Sequence, residues 1–186
     1  MNENTIERKS LWNEAAKSGL VLGGVSVAYM LLTSLLGKLQ EAGGVLSALG
    51  NVTGIALWVA KLIVCIYLMK FFMRRFASGN EGVTNGDTFR FGTATALLSA
   101  LIFSAFSLAW ALFIQPDMYA DSLELAKETY SSMLSAYQLS AMDELVPKLP
   151  TWSFFINLFW CWLFGTVLSA IFSRNIPPRN PFADNV

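Results

Sequence analysis

The sequence predicts an all-α integral membrane protein, with four transmembrane helices and an extracytoplasmic amphipathic helix between the third and fourth. Three observations carry this. Of 186 residues, 54% are hydrophobic and only 14% charged, where a soluble domain carries about 25% charged residues. Four stretches supply the roughly 20 apolar helical residues that a bilayer core requires. A single long hydrophilic segment separates the last two, and it has helical periodicity. The formal net charge is zero, so no overall field points to nucleic acid or to an acidic substrate.

The expected organisation is a cytoplasmic segment 1–17, one four-helix transmembrane domain 18–173 and a flexible cytoplasmic tail 174–186. Span one, SGLVLGGVSVAYMLLTSLLG (18–37), lies between Lys17 and Lys38. It starts late for a signal peptide, and its apolar core exceeds the usual 7–15 residues. It is therefore expected to be retained. Gly19 and Gly23 form a GxxxG, and Gly24 and Ala28 repeat the small-xxx-small step. Such residues let two helix backbones approach closely. Packing against another span of the same chain is favoured over a homodimer.

The first loop, KLQEAGGVLSALGN, reads as a short interfacial helix and then a turn at Gly50-Asn51. Span two (52–73) carries Lys61 near its centre and Lys70 near its end. A lysine at mid-membrane costs about 2.5–3.5 kcal/mol, and no span holds an Asp or Glu to pair with it. Three readings follow. Lys61 snorkels to an interface over its own stem; it faces the bundle interior, where burial favours the uncharged amine; or it binds an anion, such as a lipid phosphate, a substrate carboxylate or a partner's intramembrane acid. Polar residues at similar depth are Ser26, Tyr29, Ser104, Ser107 and Asn157.

The second loop, RRFASGNEGVTNGDTFRFG, is dense in turn residues. Its glycines follow no strand and no GK[ST] is present, so it is not a P-loop. Arg74, Arg75 and Arg90 are expected to set topology and touch anionic headgroups. Span three covers 91–116 and span four 149–173, both without formal charge. Trp12, Trp58, Trp110 and Trp152 are candidate interface anchors.

Between spans three and four, residues of about 117–146 read as an acidic amphipathic helix, single or broken in two. Leu123, Ala126, Tyr130, Met133, Leu134, Tyr137 and Ala141 recur on one face. Asp117, Asp121, Glu124 and Glu128 crowd its start, where the helix dipole favours acid. Membrane-surface helices are rich in Lys and Arg, whereas this one carries Lys127 alone. Docking on its own bundle or on a partner, through Tyr130, Met133 and Tyr137, fits better than lipid binding. The acidic spacing matches no EF-hand.

Nine basic residues fall on the side of the termini and three on the other. The positive-inside rule therefore places both termini in the cytoplasm. His is absent, which removes the commonest general base and metal ligand. Cys65 and Cys161 have no CxxC spacing and read as packing residues. No catalytic, metal or cofactor site is expected.

In their order these features resemble a family of uncharacterised bacterial four-helix membrane proteins, domain of unknown function 4199. The resemblance rests on GLVLGG in span one, GDTFRFGTATAL leading into span three, FIQPDMY at its close and FGTVLSAIFS in span four. It covers about residues 10–175. Lys61 maps onto none of its motifs. Members are often encoded beside a glycosyltransferase that uses a polyprenyl-phosphate lipid. The resemblance thus implies an accessory role in handling lipid-linked sugars at the inner membrane. The leading expectation is a non-enzymatic accessory or scaffold protein with a membrane-protein partner or a homo-oligomeric state. The alternative is an oligomeric small-solute or lipid transporter or channel, although no repeat relates the two halves.

Overall fold

The computed structural model describes residues 8–40, 45–80, 82–130, 133 and 135–176. Six α-helices account for most of them: α1 (Arg8–Gln40), α2 (Val45–Gly79), α3 (Asn85–Phe113), α4 (Met118–Tyr130), α5 (Ala136–Asp143) and α6 (Leu149–Asn175). A 3₁₀ turn, Val146–Lys148, leads into α6. Helices α1, α2, α3 and α6 are each long and apolar enough to cross a membrane. At 1.5 Å per residue, all four exceed the roughly 30 Å of a bilayer core, so their ends emerge into the headgroups or the helices tilt.

The boundaries differ from expectation in four places. Helix α1 already begins at Arg8, ahead of the expected start at residue 18. The turn expected at Gly50-Asn51 is not formed, because α2 runs through both residues. A helical glycine costs only about 1 kcal/mol relative to alanine, and the apolar run on either side outweighs it. The expected interfacial helix falls partly on 41–44, outside the described residues. The long second loop shrinks to residues 80–84, since α2 continues to Gly79 and α3 starts at Asn85.

That short connection explains itself chemically. Asn80 Nδ2 donates to the Phe76 carbonyl (3.0 Å), which satisfies an otherwise orphaned acceptor at the end of α2. Gly82 takes a positive φ of 74°, a conformation open to glycine at little cost. Thr84 then caps α3. The Asp87 N–H donates to Thr84 Oγ1 (3.2 Å), and the Thr84 N–H donates back to the Asp87 carboxylate (3.1 Å), a capping box.

Span three ends at Phe113 rather than 116, with Pro116 just beyond the Ile114 cap. The outer segment is divided into α4 and α5, and Ser135 caps the second piece through Gln138. Pro147 sits at the start of the 3₁₀ turn.

Helix α3 is the centre of the bundle and packs along both α1 and α6, whereas α2 lies against α1 and touches α3 and α6 only sparsely. Glycines set the close contacts. A Cβ at Gly19 would stand 2.8 Å from Leu98 Cβ and 3.1 Å from the Thr95 carbonyl. A Cβ at Gly23 would stand 2.9 Å from Ile102 Cβ. The GxxxG therefore seats α1 on α3 within the chain. Gly24 has nothing within 4 Å and Ala28 is exposed, so these two take no part in that contact. Gly92 and Gly165 join α3 to α6: an added Cβ would collide with Ser169 at the first and with Ala96 at the second. The Ser169 hydroxyl donates to the Phe89 carbonyl (2.9 Å) across this interface.

The tightest packing lies at the end that carries the 80–84 turn, here the hairpin end. Ala15, Met73, Phe76, Val83 and Phe91 are buried there. The rings of Phe76 and Phe91 stack with centroids 4.2 Å apart. The opposite end, here the far end, carries α4, and helix α2 stands off α6, which it touches only sparsely.

Candidate functional site

Where α2 stands off, a cavity of about 390 Å³ opens, and all four spanning helices line it. Its α2 wall is Trp58, Lys61, Leu62, Cys65 and Met69, spaced to share one helical face. Its α6 wall is Trp160, Cys161, Phe164, Gly165 and Leu168. The floor comes from α1 and α3. Leu22, Ser26, Ala96 and Ala100 there are buried, while Trp58, Trp160 and Phe164 on the two walls are about half exposed. The cavity exists because the floor residues of α3 are small and the rim residues are large. The half-exposed Trp58, Trp160 and Phe164 put its open side between α2 and α6, on the lateral face of the four candidate membrane spans.

Lys61 stands at the far end of this cavity. Its ammonium lies 4.8 Å from the centroid of the Tyr29 ring and 5.1 Å from that of Phe103. Both are within cation–π range. Tyr29 comes from α1 and Phe103 from α3, each about one turn further toward the far end than the floor residues beside it. The side chain is half-buried and turned into the bundle. Among the described residues no carboxylate lies within ion-pair distance of it. The ring faces supply attraction but no acceptor for the three N–H donors of an ammonium.

The two cysteines, read from sequence as packing residues, line the same cavity from α2 and α6. Ser26 lines the same cavity as Cys65. The other polar residues expected near Lys61 are disposed otherwise. Asn157 donates to Ser153 (3.3 Å) within α6. Ser104 is fully buried with no hydrogen-bond partner. Trp58, expected as an interface anchor, sits at the cavity mouth. Trp12 and Trp152 are exposed near helix ends, and Trp110 Nε1 donates to Gln115 (3.0 Å).

The outer segment presents a second feature. Helix α4 buries no residue, and its main tertiary contact is the 3₁₀ turn. Tyr130, Met133 and Tyr137 are 53%, 81% and 82% exposed. On the amphipathic face these three residues are thus exposed, while Leu134 lies outside the described residues. Asp117 and Asp121 flank a hollow at the junction of α3 and α4. Among the described residues, no three His, Cys, Asp or Glu side chains converge as metal ligands do.

The family model described as "Protein of unknown function (DUF4199)" matches residues 17–174. No curated protein and no solved structure matches the chain.

Proposed function

The chain belongs to the DUF4199 family of proteins of unknown function, and from that premise we propose that it is a non-enzymatic accessory or scaffold protein of a bacterial inner membrane, with both termini in the cytoplasm. The observation that carries this reading is the exposure of large side chains on the outer segment. Tyr130, Met133 and Tyr137 are exposed and are residue types enriched where proteins bind one another. Its acidic flank of Asp121, Glu124 and Glu128 disfavours anionic lipid and favours a protein partner. The partner suggested by the family resemblance is a membrane glycosyltransferase handling lipid-linked sugars.

The test is a pull-down of the tagged protein at native expression level, after gentle solubilisation. A stoichiometric membrane protein that is lost on Tyr130→Ser with Tyr137→Ser supports the scaffold reading. A clean oligomer that carries only lipid overturns it in favour of lipid transport.

A further inference from the structure

The Lys61 cavity combines two properties that together restrict its occupant. The mouth opens between α2 and α6 into the hydrocarbon region, so whatever enters must be lipid-soluble. The one formal charge among the residues lining the cavity is a cation, with no carboxylate partner among the described residues. Its aromatic cage stabilises the charge, but ring faces supply no acceptor for its N–H donors. A lipid-soluble molecule bearing an anionic group satisfies both conditions, and a neutral lipid satisfies only the first.

The shape agrees. From Trp58 to Met69 the α2 wall spans about 16 Å at 1.5 Å per residue. Lys61 lies near the far end of that length, and the rest of the α2 wall, Leu62, Cys65 and Met69, is apolar or thiol. The volume of about 390 Å³ lies within the range of small-molecule pockets. A partner helix, about 10 Å across, is too wide to enter such a space. We infer that this cavity binds a single-chain anionic amphiphile, with its carboxylate or phosphate on Lys61 and its chain running toward the hairpin end along Cys65 and Met69. This inference is independent of the scaffold reading, since it uses neither the outer segment nor a protein partner.

The chain's two cysteines make the test direct, because both line the cavity and no others exist. Protein in phosphatidylcholine nanodiscs is labelled with a membrane-permeant maleimide, alone or with hexadecanoate, hexadecyl phosphate or hexadecanol. The expected result is that saturating anions slow labelling of Cys65 and Cys161 about tenfold, the factor given by 1.4 kcal/mol of preference, while the alcohol does not. Lys61→Arg keeps the protection and Lys61→Met abolishes it. Removing a membrane charge favours insertion, so the second variant is not expected to fail through misfolding. Protection already present in phosphatidylglycerol nanodiscs, without additive, would assign the cavity to a two-chain bilayer phospholipid and overturn the single-chain assignment. Protection only on addition identifies a free amphiphile. Equal protection by alcohol and anion, or unchanged protection in Lys61→Met, overturns the proposal. So does protection seen only with a co-purifying membrane protein, which would assign Lys61 to a partner's acid.

Discussion

At the scale of residues, Lys61 is held by two opposing energies of similar size. Central placement costs about 2.5–3.5 kcal/mol, and a desolvated cation–π contact returns about 2 kcal/mol or more. Lys61→Met is therefore expected to stabilise the fold by about 1 kcal/mol, read as the unfolding midpoint in detergent. Phe103→Leu removes one ring from the cage and should destabilise by about 1 kcal/mol. In the Lys61→Met background that cage contribution should vanish, and a double-mutant cycle measures this coupling directly. The glycines give a sharper contrast. Gly19→Ala forces a methyl against Leu98 and the α3 backbone and should cost about 1–3 kcal/mol. Gly24→Ala meets open space and should be neutral or stabilising by up to about 1 kcal/mol. The sequence shows both small-xxx-small pairs with equal weight. Consecutive helical residues point about 100° apart, so Gly23 and Gly24 cannot share a face, and only the fold decides which one meets α3.

At the scale of elements, the four spans are legible because 20 apolar residues leave the backbone no alternative to a helix in lipid. Their ends are less legible. Gly79 and Gly86 read as loop residues, yet the turn needs only residues 80–84 because Asn80, Gly82 and Thr84 close it by local hydrogen bonds and one positive φ. The T-x-x-D spacing at Thr84 and Asp87, just before an apolar run, is the available signal for the start of α3. Thr84→Ala is expected to lower stability by about 0.5–2 kcal/mol. Faster hydrogen exchange in the first turn of α3, with the far end of that helix unchanged, is the corresponding local measurement. The candidate site is legible only in part. Lys61 stands out as an isolated charge in span two, whereas Tyr29, Phe103 and the Cys65–Cys161 juxtaposition depend on the rotation of three helices about their axes. Apolar runs that are hydrophobic all round carry almost no information about that rotation.

At the scale of the whole molecule, charge and packing are asymmetric in the same direction. The hairpin end gathers the tight core of Met73, Phe76 and Phe91 and the exposed Lys17, Arg74, Arg75, Arg90 and Arg174. The far end carries Lys127 and Lys148 beside the acidic α4. Acidic residues weigh little in membrane orientation, and basic residues near span ends weigh most. The 80–84 turn is very short, so its flanking arginines act at full strength. Alkaline phosphatase fused after Met133 should therefore be active outside the membrane, and the same enzyme fused after Val186 should be inactive. Replacing Arg74, Arg75 and Arg90 with Gln removes three of the nine residues that set this bias. Lys17, Lys70 and Arg174 still outnumber Lys38, Lys127 and Lys148 through Arg8, Lys9 and Arg179. The variant should hold its orientation but show a minor inverted population, visible as phosphatase activity from the Val186 fusion. Complete inversion by these three changes would mean that the turn alone sets topology and that the N-terminal basic residues contribute nothing.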